Sequence, residues 1–133
     1  MIEKSACMRC LYTKKLVSTG AYDLDHFLPW SFVAHDQIWN IVPADKSINC
    51  SKSNKLPNLE FFLTDMALTQ YTAFKIVYQA QPHNKCLEDF FQLGVTLSEI
   101  NEMTADSFVN IYKKTIIPLH QVAENMGFGL WDM

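Results

Sequence analysis

The pair Asp25-His26 combines two side chains that could carry out metal-assisted hydrolysis. A carboxylate is a hard oxygen ligand that suits Mg2+, and a neutral imidazole can accept a proton from water near neutral pH. Successive side chains of a regular strand point to opposite faces, so the two groups can reach one site only where the chain leaves regular geometry. Pro29, three residues after His26, favours such a departure.

Asn49 and Lys52 add two further groups at a helical spacing. Residues three apart share one face of a helix, so both side chains are expected to face the same neighbour. The amide oxygen of Asn49 would be a second metal ligand, and the ammonium of Lys52 would neutralise a phosphate oxygen. If Asp25 and His26 are presented to this helical face, the four side chains predict a one-metal site for phosphodiester hydrolysis, in which His26 activates the attacking water.

Three separated segments match one motif in order and spacing, namely residues 25–32 (DHFLPWSF), the pair Trp39-Asn40 and residues 49–57 (NCSKSNKLP). The sequence here resembles the HNH endonuclease family. It is similar to bacterial HNH endonuclease domain proteins and to the HNH domain of RNA-guided CRISPR effector nucleases. The resemblance covers residues 7–57. It implies an α+β fold with a ββα-metal (His-Me finger) HNH core, followed by a C-terminal helical region.

The resemblance also implies a role for each matching residue. Asp25 and Asn49 would be the protein ligands of the catalytic metal, and His26 would be the general base. Asn40 would hold the loop that orients His26, and Lys52 would lie near the scissile phosphate. The implied activity is cleavage of DNA that leaves a 5′-phosphate, with Mg2+ or Mn2+ as the cofactor.

Cys7 and Cys10 form a C-x-x-C pair that matches the first half of the structural zinc site of many relatives. The second half would fall at Asp45 and Ile48, and an isoleucine cannot bind a metal. A complete tetrahedral site would have to recruit other residues, such as Cys50 or Cys86. We therefore interpret Cys7 and Cys10 as a degenerate zinc site, and we do not expect structural Zn2+.

Composition limits the class of protein. The chain has 133 residues, of which 49% are apolar and 19% charged, as in one globular domain. It contains neither an apolar run of membrane-spanning length nor an export signal, so a cytoplasmic location without membrane association is expected. A net charge of -3 argues against holding nucleic acid by bulk charge. DNA binding by the isolated chain should therefore be weak and salt-sensitive, with targeting by a protein partner or a larger chain.

The sequence pattern changes at Leu56-Pro57, which predicts an HNH core over residues 1–57 and a helical buttress over residues 58–133, packed as a single compact unit. In the core we expect a hairpin between residues 16–18 and 21–25, an extended run over 38–42, and a helix from Asp45 to Asn54. In the second part we expect helices that begin at Asn58, Thr96 and Thr104, and a short apolar stripe at 87–91. Pro118 should kink or end the last helix.

Two interpretations of the function are considered, an endonuclease and a non-catalytic module. A non-catalytic HNH-like module would bind nucleic acid or protein without cutting, and its expected sign would be the loss of catalytic positions; Asp25, His26 and Asn49 are all present. Asp23, on the same strand face as Asp25, would either assist the metal through water or only hydrogen-bond the hairpin. Relatives often carry this module at the end of a longer chain, so the resemblance is compatible with a fragment of a larger protein or with one subunit of a split system.

Overall fold

Two antiparallel strand pairs form the first part of the molecule, in a computed structural model that describes residues 8–17 and 22–132. Strand β1 (Met8–Arg9) pairs with β2 (Leu16–Val17), and β3 (Tyr22–His26) pairs with β4 (Ile41–Asp45). The register places Asp25 opposite Val42. These strands and the helices that follow make the fold α+β.

The predicted hairpin between residues 16–18 and 21–25 is wrong in its pairing, because each run has a different partner. The turn proposed for it at Thr19-Gly20 lies outside the described residues. The β1–β2 turn is instead closed locally, where Lys15 accepts the amide hydrogen of Cys10 at 2.9 Å. Because β2 pairs with the nearby β1, β3 pairs with β4, which comes later in the chain.

The connection from β3 to β4 contains a short helix α1 (Trp30–Val33) and a 3-10 turn (Ile38–Asn40). The extended run predicted from residue 38 therefore begins only at Ile41, and Pro43 lies inside β4. Helix α2 (Lys46–Lys52) follows directly, and its predicted cap is confirmed, since Asp45 accepts the amide hydrogen of Ser47. The helix ends two residues before the predicted Asn54.

Four helical elements form the second part: α3 (Leu59–Ala80), a 3-10 helix (Lys85–Leu93), α4 (Leu97–Glu102) and α5 (Ala105–Asn125). The predicted caps Asn58, Thr96 and Thr104 are confirmed, and Thr96 and Glu99 form a complete capping box. Helix α5 does not end at Pro118. Pro118 has no N–H, so the carbonyl of Lys114 loses its helical hydrogen-bond donor. Both residues are exposed, so water can donate to that carbonyl instead. No helix within the described ranges is long and apolar enough to cross a membrane.

Side chains from the helical part hold the backbone of residues 38–41. Asp89 accepts the amide hydrogen of Ile38 at 2.9 Å, Tyr112 donates to the carbonyl of Trp39 at 2.5 Å, and Gln70 donates to the carbonyl of Ile41 at 2.8 Å. Tyr112 and Trp39 are both fully buried, and burial raises the pKa of the Tyr112 phenol. The helices therefore fix the segment that leads into β4.

A second attachment lies at residues 56–57. His120 contacts the carbonyl of Pro57 at 2.9 Å, and the backbone of Leu56 exchanges hydrogen bonds of 2.8 Å with Gly129 and Trp131. The indole of Trp131 packs edge-on against Tyr12, with ring centroids 5.2 Å apart. Residues 129–131 are thereby tied to Leu56 and to the turn between β1 and β2.

We predict that Tyr112→Phe destabilises the fold by about 1–3 kcal/mol, because it leaves the buried carbonyl of Trp39 without a donor. Tyr78→Phe is the matched control, since Tyr78 is half-buried and its hydroxyl has no partner within the described structure. Urea unfolding of both variants measures the difference. Equal stabilities would contradict a structural role for the Tyr112 hydroxyl.

Candidate functional site

Lys52, on α2, is the unusual feature at the centre of the site. Its side chain is 0% exposed, and its Nζ donates to the carbonyl of His26 at 2.9 Å. The same Nζ lies 3.3 Å from Oδ2 of Asp25, which is only 5% exposed. The hydroxyl of Tyr12 donates to that oxygen at 2.5 Å. One buried cluster thus joins α2, β3 and the turn after β1.

Burial sets the protonation behaviour of this cluster. Loss of water raises the pKa of the Asp25 carboxyl and lowers the pKa of the Lys52 ammonium, while the charge of each group opposes the shift of the other. Burial, and next the charge of Asp25, raise the pKa of Tyr12 well above its usual value. Tyr12 therefore remains a hydrogen-bond donor to the carboxylate.

Asp25 divides its two oxygens between different tasks. Tyr12 and Lys52 both approach Oδ2, and Oδ1 has no hydrogen-bond partner among residues 8–17 and 22–132. Since a carboxylate oxygen has lone pairs to share, Oδ1 remains available for a cation.

Asn49 has a similar division between its amide atoms. Its Nδ2 donates to Oδ2 of Asp23 at 3.1 Å. A carboxylate only accepts, so the nitrogen of the amide must face Asp23, and the amide oxygen is left for another ligand. Asp23 and Asp25 lie two apart on one face of β3, and Asn49 and Lys52 lie on the α2 face that meets it.

The donors present fit a hard divalent cation. The oxygens of Asp25 and Asn49 are the ligand type that Mg2+ takes, and Mg2+ keeps several waters and substrate phosphates rather than a full protein cage. Residues 8–17 and 22–132 contain no cluster of three His, Cys, Asp or Glu side chains that could hold a metal. A site here would therefore depend on one carboxylate, one amide and the substrate.

His26 is the last residue of β3, in register with Ile41. The departure from regular geometry that was expected at Asp25-His26 is therefore wrong in its position, because the chain leaves the strand only after His26. The Nε2 of His26 lies 2.8 Å from Oδ1 of Asp36, and its imidazole is about one quarter exposed. The structure places the imidazole against Asp36, and brings only the backbone carbonyl of His26 into the Asp25–Lys52 cluster.

Asn40 closes the loop that follows His26. Its buried amide accepts the amide hydrogen of Leu28 at 2.8 Å and donates to the Leu28 carbonyl at 2.9 Å. Its own carbonyl accepts the amide hydrogen of Phe27 at 2.8 Å. These three hydrogen bonds fix the two residues that come directly after His26.

Three cysteines lie in the described part of the chain, and each of them is a free thiol. Cys10 is fully buried, and its sulfur accepts the amide hydrogen of Thr13 at 3.5 Å, whereas Cys7 lies outside the described residues. Cys50 is exposed and Cys86 is half-buried.

The expectation that Lys52 contacts a phosphate needs correction. The helical spacing correctly placed Asn49 and Lys52 on one face, but the ammonium is enclosed and already bound to Asp25 and His26. Sequence reasoning also missed Tyr12 and Asp36. Neither has a spacing relative to Asp25-His26 that marks it, because both come from irregular turns.

Residues 10–58 match the family model described as HNH endonuclease. This segment of the chain is therefore similar to the HNH endonuclease family. No curated protein and no solved structure matched the chain. This HNH segment contains β3, β4 and α2 with Asp25, His26, Asn40, Asn49 and Lys52, and it ends at the cap of α3.

We predict that Lys52→Met destabilises the HNH segment by about 3–5 kcal/mol, because it leaves the buried Asp25 carboxylate unpaired. Lys55→Met is the matched control, since Lys55 is exposed and should change stability by less than about 0.5 kcal/mol. The double variant with Asp25→Asn should recover part of the loss. Denaturant titrations of these variants measure the coupling, and similar effects of Lys52→Met and Lys55→Met would exclude the buried pair.

Proposed function

We propose that this protein is a Mg2+-dependent endonuclease that hydrolyses DNA phosphodiester bonds with one metal ion and His26 as the general base. The observation that carries the proposal is the pair of available oxygens, on Asp25 and Asn49, within a segment that matches the HNH endonuclease family. We further propose that β3, β4 and α2 act as a ββα-metal finger. Mn2+ would serve in place of Mg2+.

Each residue has a task in this proposal. Asp25 and Asn49 bind the metal, which as a Lewis acid would polarise the phosphate and stabilise the leaving oxygen. His26 accepts the proton of the attacking water. Asn40 holds the backbone after His26. Lys52 positions His26 through its carbonyl and neutralises part of the Asp25 charge, instead of contacting DNA.

DNA is the proposed substrate, and its binding must be local. The net charge of -3 gives no general attraction for a polyanion. Lys46, the first residue of α2, and Lys55, three residues after its end, are both exposed, so a phosphate could reach them. Targeting would then depend on a protein partner or on a longer chain. We also propose that residues 1–57 form the nuclease core and that residues 58–133 support it.

Plasmid nicking in the presence of Mg2+ or Mn2+ tests the activity. We expect His26→Ala to lower the cleavage rate by about 10²–10⁴-fold, as for the loss of a general base. His83→Ala is the control, because His83 is exposed and has no side-chain partner among the described residues. Absence of metal-dependent cleavage by the wild type, on single- and double-stranded DNA, would contradict the proposal.

The second candidate is an HNH-like module that binds nucleic acid or protein without cutting. The position of Lys52 favours this second candidate, because its ammonium, 3.3 Å from Asp25, partly takes the place of a metal cation. Calorimetric titration with Mg2+ in the presence of a short DNA duplex separates the two. A nuclease should bind the metal and lose binding in Asn49→Ala, whereas the exposed-site control Asn110→Ala should bind normally. A wild type that binds DNA but no metal would support the module.

A further inference from the structure

The loop between α1 and the 3-10 turn brings a carboxylate to His26. Asp36 Oδ1 lies 2.8 Å from His26 Nε2, although the two residues are ten apart in sequence. We propose that Asp36 is a positioning residue, which accepts the Nε2 hydrogen of His26 and so makes Nδ1 the nitrogen that takes the proton from the attacking water. This inference rests on the proposed nuclease function.

The loop that carries Asp36 is fixed on both sides. Before it, Ala34 has a left-handed conformation (φ 58°) and its amide hydrogen bonds to Trp30 at 2.7 Å, which ends α1 sharply. After it, Asp89 of the helical part accepts the amide hydrogen of Ile38 at 2.9 Å. Although the Asp36 side chain is 76% exposed, its backbone is therefore held between two anchored residues.

The chemistry of the two groups sets the direction of the hydrogen bond. A carboxylate oxygen only accepts, so a neutral imidazole in this contact carries its hydrogen on Nε2. The lone pair then lies on Nδ1, on the other side of the ring. The contact selects one tautomer and one ring orientation, which is the task of a group that supports a general base.

Exposure argues against a role in stability. Asp36 is largely exposed, and a polar contact of an exposed carboxylate contributes little to folding, so variants that differ only at Asp36 should be as stable as the wild type. An effect on cleavage would therefore arise from the orientation of His26, and not from loss of structure. If Asp36 acted only as an exposed negative charge near DNA, its removal should strengthen DNA binding and should not lower the cleavage rate.

The test compares Asp36→Ala and Asp36→Asn with wild type in cleavage at saturating Mg2+. We expect Asp36→Ala to lower kcat by about 10-fold with KM unchanged or reduced, within the roughly 10²-fold cost of misplacing a catalytic group. Asp36→Asn should lie between, because an amide can accept the Nε2 hydrogen but can also donate to the other tautomer. Asp106→Ala is the control, since Asp106 is an exposed aspartate on α5 whose side chain has no described partner.

Two readouts separate positioning from a merely structural effect. In the His26→Ala background, Asp36→Ala should cause no further loss of kcat, because its effect passes through the imidazole. In 15N NMR of the wild type under conditions in which imidazoles are neutral, the ring nitrogens of His26 should show the Nε2-hydrogen tautomer, and their shifts should move toward each other in Asp36→Ala.

The outcomes distinguish this inference from the proposed function. If the wild type cleaves DNA and Asp36→Ala cleaves equally well, only the positioning role of Asp36 is overturned. An equal loss of kcat in the His26→Ala background, or unchanged nitrogen shifts in Asp36→Ala, would also overturn it. If the wild type does not cleave at all, the nuclease function fails, and the inference fails with it.

Discussion

The burial of Lys52 is the constraint on which the arrangement of the site depends. An ammonium removed from water is costly unless charged and polar partners surround it, and here the partners are the Asp25 carboxylate and the His26 carbonyl. Both partners lie on β3, so α2 must lie across that strand at one depth and one rotation. Asn49, three residues earlier on the helix, is then brought to Asp23. The placement of Asn49 beside Asp23 therefore follows from one buried contact.

A second set of constraints comes from the helical part of the chain. Residues 38–41 connect an irregular loop to β4, and such a segment carries backbone groups that strand pairing alone does not satisfy. Asp89, Tyr112 and Gln70 supply partners for three of them. Gln70 retains one buried side-chain oxygen without a partner in the described structure. The helices thus do more than cover the HNH segment, because they determine the path of the chain on either side of Asn40.

Local features of this fold could be predicted from sequence, whereas its long-range pairings could not. The caps at Asp45, Asn58, Thr96 and Thr104 depend on residues within three positions, and each forms as expected. Strand pairing has no such local rule: closeness in sequence predicts a hairpin between residues 16–18 and 21–25, whereas β2 pairs with β1 and β3 pairs with β4. Helical spacing also predicts that Asn49 and Lys52 share one face of α2, but it does not predict how deeply that face is buried. The roles of Asp25, His26, Asn40 and Asn49 in catalysis remain predictions.

The way in which Asp25 and Asn49 are held has a consequence for the proposed metal site. The ammonium of Lys52 neutralises part of the negative charge of Asp25, and Asn49 contributes a neutral amide oxygen. A cation at this place would therefore meet less negative charge than in a cage of several carboxylates, and its affinity would be correspondingly low. A DNA phosphate adds the missing charge and the missing oxygen ligands. In the proposed nuclease, metal and substrate would then bind together, because each supplies what the other lacks.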